Sequence, residues 1–288
     1  MPISLSAYAA VAFTVISWAS AFPMIRVALR ELAPIPLAAA RFAIAAVLVV
    51  AWLAWKRPPR PSPSDALRIF LCGLAGIALY NFTLNTGQQT VSPGAAAFIV
   101  NIAPILTALI ALVVLKERFT IWGWIGTIVS FSGIAVIASG QPAGLTFGAG
   151  TTFILGSAIC TASYFVLQKP LVAKYGAMPC AAYTMLTGAL LLSPWLPGAA
   201  SALTTASYAT IGAVVALAVF PAALGYATWT FALGYFGAAR ASNFLYLIAP
   251  VATALAFLFT GDVPGSQTLA GGALAIAGVV IVNTRGRN

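Results

Sequence analysis

One stretch of this chain is written twice. Ala95, Phe98, Ile102, Ala103, Pro104, Thr107, Ala108, Leu109 and Leu112 recur 146 residues later as Ala241, Phe244, Ile248, Ala249, Pro250, Thr253, Ala254, Leu255 and Leu258. Past the next loop the offset slips to 145, where Glu117 matches Asp262, Gly126 matches Gly271 and Gly133 matches Gly278. The front of each copy agrees more weakly, at an offset of 143: Ala19, Ser20, Phe22 and Pro36 return as Ala162, Ser163, Phe165 and Pro179. The chain therefore divides into two copies, 1–140 and 141–288, and its fold must seat one pattern twice.

Both copies are very apolar. Hydrophobic residues make up 61% of the chain and charged residues 6%, against about 25% charged in soluble domains. Runs long enough to cross a bilayer fall at 5–29, 34–56, 66–88, 93–115, 119–138, 149–170, 178–196, 208–236, 239–260 and 266–284. The expected fold is all-α, with ten transmembrane helices, five per copy. The first run has no basic residue ahead of it and continues through Pro23 to Arg26, which reads as a retained span and not a cleaved signal.

With the N-terminus in the cytoplasm, the inside breaks hold Lys56, Arg57, Arg60, Arg68, Lys116, Arg118, Lys169, Lys174, Arg240, Arg285 and Arg287, against Arg26, Arg30 and Arg41 on the other side. Eleven basic residues against three place both termini inside. Because each copy has an odd number of spans, the second enters the membrane from the opposite face. The halves are expected to be inverted repeats around a central space, a construction common among transporters.

Pro104 and Pro250 fall near the middle of spans four and nine, where each removes an amide donor and frees the carbonyl of Val100 or Tyr246. They are the candidate hinges; a static kink is the alternative. Pro23, Pro221 and the Lys169-Pro170 pair mark further expected breaks. Gly126, Ser130 and Gly133 share one face, as do Gly271, Ala275 and Gly278. Small residues at this spacing admit close helix packing, within the chain or across a homodimer, so monomer and dimer both stay open.

Polar groups inside hydrocarbon need partners or a wet cavity, which makes mid-span polar residues the candidate binding site. Asn81, Asn85 and Gln88 stack on one face of span three, and Asn101 and Asn243 lie on spans four and nine. Trp18, Phe22, Tyr80, Tyr164, Tyr226, Trp229 and Tyr246 supply aromatic faces at comparable depth. The combination suits a neutral or zwitterionic molecule with an apolar side chain. At the repeat offset Asn81, Asn85 and Asn101 correspond to Ala227, Phe231 and Leu247, while Tyr80 keeps Tyr226. The scaffold is repeated and the polar lining is not.

Several function classes fall away. The net charge of +10 resides in short breaks between spans, so it orients the chain and does not mark a nucleic-acid partner. Histidine is absent, and Cys72, Cys160 and Cys180 have no paired spacing, so neither a histidine-ligated metal nor a disulfide framework is expected. No cofactor is implied. Glu31, Asp65, Glu117 and Asp262 fall at or near span ends, which leaves no clear mid-membrane proton or sodium carrier. No phosphate loop is present to suggest ATP-driven pumping. Arg41 enters span two; snorkelling to the interface is favoured over attracting a substrate carboxylate or pairing with Glu31.

Trp18-Ala-Ser-Ala-Phe22 in span one, Arg41 in span two, Ala103-Pro104 closed by Lys116-Glu117-Arg118, and the echo Ala249-Pro250 with Asp262 resemble the EamA family of the drug/metabolite transporter superfamily over essentially the whole chain. Within it the sequence is most similar to YddG-type exporters of aromatic and other neutral amino acids. The resemblance implies a basket-like bundle, alternating access and export from the cytoplasm through the bacterial inner membrane, with Trp18, Tyr80, Asn101 and Tyr164 lining the cavity. The second copy departs from the pattern where Asp262 is followed by Val263 and not arginine. The expected partners are a small molecule, an amino acid or similar metabolite, and membrane lipid. Multidrug or other metabolite export is the alternative, and an intramembrane enzyme lacks a plausible catalytic set at one depth.

Overall fold

The computed structural model describes residues 5–91, 93–139, 148–260 and 265–285, and every regular element among them is helical. In hydrocarbon a helix satisfies its own amides, which is why so apolar a sequence adopts it throughout. In chain order, α1 (Leu5–Ala28) and α2 (Pro34–Lys56) precede α3 (Pro63–Gly73), which runs through a π-helical segment, Leu74–Leu79, into α4 (Tyr80–Gly87). α5 (Pro93–Val100) and α6 (Ala103–Val114) are split by a turn, and α7 (Ile121–Ser139) follows. α8 (Ala149–Tyr175) leads to α9 (Ala177–Leu192), which continues through a 3-10 turn into α10 (Leu196–Thr205). α11 (Tyr208–Leu217) passes through a second π-helical segment, Ala218–Leu224, into α12 (Gly225–Phe236). α13 (Ala238–Asn243), a 3-10 segment Phe244–Leu247, α14 (Ile248–Thr260) and α15 (Ser266–Arg285) complete the chain.

Joined across these irregularities, eight segments of the described residues are long and apolar enough to cross a membrane, and Ile121–Ile137 is a shorter apolar helix. The stretch expected as span nine is helical in three pieces. Proline placement departs from expectation. α1 and α8 continue through Pro23 and Pro170 without ending. The segment that starts at Ala177 runs on to Thr205 because Pro194 and Pro197 occupy first-turn positions of the pieces they start, where the missing amide would be unpaired anyway. Pro104 does the same at the start of α6, so the break in this segment lies at Asn101-Ile102, just ahead of the proline.

The duplicated glycine stripes meet each other. A Cβ on Gly126 would lie 2.6 Å from the Gly278 carbonyl oxygen, and one on Gly133 would lie 2.5 Å from that of Gly271. The low-numbered glycine of α7 thus faces the high-numbered one of α15, an antiparallel crossing. At its centre Ser130 donates its hydroxyl to the Ala275 carbonyl at 3.0 Å. Ser130 and Ala275 are themselves a repeat pair.

Contacts define two ends of the bundle. At one, Arg26 donates to the Gln88 carbonyl, Asn85 Nδ2 donates to the Pro34 carbonyl at 3.0 Å, and the Ser207 backbone N–H donates to Glu31 at 2.7 Å. That N–H holds the Glu31 carboxyl below its ordinary value. At the other end Lys174 and Tyr175 donate to Asp65, and Lys169 pairs with Glu117. Asp262 and Arg287 lie outside the described residues.

Candidate functional site

Between the two halves lies an open-mouthed cavity of about 730 Å³, counting the solvent space at its mouth. α1 supplies Trp18, Phe22 and Ile25; α2 supplies Arg41; the π segment and α4 supply Gly76, Tyr80 and Leu84; α5 and the turn after it supply Val100 and Asn101. From the second half come Thr161, Tyr164 and Phe165 of α8, Tyr226 of α12, and Leu245 and Ile248. Most of these residues sit toward the end of the bundle that carries the α1–α2 and α4–α5 connections.

The two π segments shape this wall. A π turn inserts a residue and releases backbone carbonyls from the i→i+4 ladder, and aromatic donors from elsewhere take them up. Tyr226 Oη donates to the Gly76 carbonyl at 2.7 Å, and Trp18 Nε1 donates to the Pro221 carbonyl at 3.0 Å. Each bond joins one half to the other. Glycine is required beside the rings: a Cβ on Gly76 would lie 2.5 Å from the Tyr164 ring, and one on Gly225 would lie 2.7 Å from Trp18 Nε1. Trp18 and Tyr226 meet edge-on at 5.8 Å, and Tyr164 and Tyr226 lie 5.9 Å apart, so the lining aromatics form a connected wall.

Arg41 overturns its expected role. It does not snorkel: its residue is 4% exposed and lines the cavity. Nε donates to the Leu217 carbonyl at 3.1 Å and Nη1 donates to Asn81 Oδ1 at 3.1 Å, while the guanidinium lies 5.2 Å from the Phe42 ring centroid. Glu31 is engaged by Ser207 and does not pair with it. An arginine at the centre of a membrane helix costs about 2.5–3.5 kcal/mol on insertion scales. Here two oxygens and an aromatic face offset that cost, and the Leu217 carbonyl is open to Arg41 because the residue four positions on is Pro221, which has no N–H to donate. Arg41 lies two turns inside α2, about 10 Å at 1.5 Å per residue.

Of the residues singled out from sequence, Trp18, Phe22, Tyr80, Asn101, Tyr164 and Tyr226 come together at the cavity. The other six do not line it; Gln88 is fully buried, with its backbone carbonyl taken by Arg26. Asn81 is fully buried, holding Arg41 and donating to the Ile77 carbonyl at 2.8 Å. Asn85 ties α4 to the start of α2. Asn243 accepts from Thr127 at 2.8 Å and donates to the Ala239 carbonyl at 2.8 Å, which spends its amide on helix packing. Trp229, fully buried, lies behind the wall, 5.4 Å from Trp18 and 4.6 Å from Phe165 between ring centroids. Tyr246 is buried in the 3-10 segment. Tyr226, which does line the cavity, was legible as the one aromatic the repeat preserves opposite Tyr80.

The opposite end is closed. Glu117, in the connection between α6 and α7, accepts from the Ala238 N–H at 3.1 Å and the Ala239 N–H at 3.0 Å, capping α13, and takes Lys169 of α8 as its ion partner. Gly237, at a φ of 81°, makes the turn that aims those amides. Beside this latch Tyr8 packs edge-on against Phe236 at 5.2 Å, and Phe236 against Phe244 at 5.0 Å.

The EamA-like transporter family matches residues 5–139 and again 148–284. This chain belongs to that family. Among its EamA relatives, a probable terminal-alkyne amino-acid exporter of Streptantibioticus cattleyicolor is 38% identical, covering 99% of this chain and 95% of the relative. The uncharacterized transporter YdfC of Bacillus subtilis is 32% identical over 91% of this chain and 86% of its own, and an uncharacterized transporter of Archaeoglobus fulgidus is 31% identical over 94% and 96%. A crystal structure at 18% identity superposes with a TM-score of 0.73, covering 96% of this chain and 97% of that one, which establishes a shared fold. The EamA chain described here is thus a multi-pass membrane protein of a transporter family.

Proposed function

We propose that this protein is a secondary transporter that exports amino acids, aromatic and other neutral or hydrophobic ones, or closely related metabolites, from the cytoplasm across the bacterial inner membrane by alternating access. The observation that carries the reading is the aromatic-walled cavity between the halves, lined mostly by residues toward one end of the bundle, with Glu117, Lys169 and α13 tied together at the other. Under the basic-residue orientation the latch is cytoplasmic and the cavity faces outward. The 38% identical relative, named as a probable terminal-alkyne amino-acid exporter, supports an amino-acid substrate.

Ten spans in two inverted five-helix halves agree with the α7/α15 seam. The repeat equates Gly126 with Gly271 and Gly133 with Gly278, yet the contacts pair Gly126 with Gly278 and Gly133 with Gly271. Crossed pairing of equivalents about Ser130 and Ala275 is what a two-fold axis in the membrane plane produces. Because this stripe faces its own copy, a homodimer would use another surface. Pro104 and Pro250 serve as hinges by stopping helix continuity at the cavity: Val100, whose carbonyl loses its donor to Pro104, is a lining residue.

Buried polar side-chain atoms without a hydrogen-bond partner among the described residues occur on both sides of the cavity, Asn85 Oδ1, Gln88 and Tyr164 Oη as well as Gln168 Nε2 and Tyr246 Oη. Each such orphan costs about 1–3 kcal/mol. The test is counterflow into proteoliposomes loaded with unlabelled amino acids, using labelled phenylalanine, leucine, lysine and glutamate with and without proton and sodium gradients. Saturable uptake of the first two supports the reading; no flux of any of the four in sealed, protein-containing vesicles sinks it.

A further inference from the structure

We infer that Arg41 is the docking point for a substrate carboxylate, so that the cavity selects molecules bearing a free carboxylate next to an apolar side chain. This rests on the amino-acid export reading and adds the recognition chemistry that reading leaves open. Arg41 is a buried cation on the cavity wall with no carboxylate beside it: the described carboxylates Glu31, Asp65 and Glu117 are each held elsewhere. A guanidinium offers five N–H donors. Nε and Nη1 are engaged by Leu217 and Asn81, and Nη2 makes no hydrogen bond among the described residues. Two fixed bonds preorganise the group, so an incoming carboxylate meets an oriented, desolvated cation without the entropy loss of ordering a long side chain. Among the described residues no acidic one lines the cavity, so a cationic amine lacking a carboxylate would meet only the like charge of Arg41 there.

An amino group has a separate place to go. Asn101 spends its Nδ2 on the Ala97 carbonyl at 2.7 Å, which leaves Oδ1 as an acceptor at the end of α5. Val100 beside it is the last residue of α5, and Pro104, four positions on, has no N–H to offer its carbonyl. These oxygens lie at a helix C-terminus, where the backbone dipole favours positive charge. The site thus provides a cation for one end of an α-amino acid and acceptors for the other, with Trp18, Tyr80 and Tyr164 for its side chain.

The decisive experiment is competition in phenylalanine counterflow with three probes: phenylalanine, phenylalaninamide, which lacks the carboxylate, and 3-phenylpropanoate, which lacks the amine. On the wild-type protein the amide is expected to compete at least tenfold more weakly than phenylalanine, and 3-phenylpropanoate more strongly than the amide. In Arg41→Gln the phenylalanine advantage over the amide is expected to vanish. If wild-type protein transports phenylalanine but the amide competes equally well, the inference is overturned while amino-acid export stands. If Arg41→Gln folds and keeps the wild-type ratio, the residue is a structural tie and the inference fails. Should that variant not fold, the wild-type panel alone decides between the two ratios. Absence of phenylalanine flux in wild-type vesicles that carry other amino acids overturns the inference; absence of all flux overturns the export reading with it.

Discussion

A hydrogen where other residues carry a methyl group sets the shape of the cavity wall at Gly76. The Tyr164 ring rests where a Cβ would be, 2.5 Å away, and the adjacent Gly76 carbonyl accepts Tyr226. Gly76→Ala should therefore lower stability by about 1–3 kcal/mol, the usual penalty for overpacking, read as a fall in the thermal unfolding midpoint in detergent. In a Tyr164→Ala background Gly76→Ala should cost much less, and in a Tyr164→Phe background as much as in the wild type, because ring carbons make the clash; an equal cost in all three backgrounds would dismiss the contact. Trp18→Ala should reduce aromatic amino-acid flux more than Trp18→Phe in matched proteoliposomes, since Phe keeps a ring on the wall and loses only the bond to Pro221. At this scale the sequence was partly legible. Aromatic side chains at matching depth on separate spans foretold Trp18, Phe22, Tyr80 and Tyr164. Arg41 was misjudged because its acceptors are a carbonyl beside a π segment and an asparagine on another helix, and neither is encoded near residue 41.

Helix joints carry the next level of information. Span positions followed from apolar length, but the π segments Leu74–Leu79 and Ala218–Leu224 have no hydropathy signature: one inserted residue leaves an apolar run looking like any other. They occupy the same place in both halves, which an offset comparison of side chains alone does not reveal. Pro23 and Pro170 do not break α1 and α8, whereas Pro104 begins α6 just past a break, and the sequence does not show whether a proline stands inside a helix or begins one. The latch is the element whose role is easiest to test. Glu117 caps α13 with two backbone bonds and pairs with Lys169. Glu117→Ala should cost about 1 kcal/mol for the lost cap and more for the stranded lysine, whereas Glu117→Gln keeps an acceptor and should fall between it and wild type in thermal unfolding. A glutamine variant no better than alanine would assign the effect to the ion pair alone.

For the whole molecule, the question is which contacts persist when the halves exchange conformations. The α7/α15 seam joins repeat equivalents about Ser130 and Ala275, so a motion that swaps the states of the two halves maps this seam onto itself. The latch has no such property: its Glu117 is engaged at one end only, and opening that end must separate it from α13. The duplication in the sequence announced the first of these facts in outline, through Gly126, Gly133, Gly271 and Gly278, but not that equivalents would cross-pair, because pairing depends on the relative direction of two helices. In a background where Cys72, Cys160 and Cys180 are replaced by alanine, a disulfide formed by Ser130→Cys and Ala275→Cys should leave counterflow close to that of the reduced protein. One formed by Glu117→Cys and Ala238→Cys should abolish counterflow, with reduction restoring it. Ser130 meets Ala275 and Glu117 meets Ala238 in this structure, so cross-link formation in each pair is confirmed by thiol titration before flux is compared. Flux through the cross-linked latch at the reduced rate would mean that transport proceeds without opening this end, and a block by the seam disulfide would make α7 and α15 moving parts.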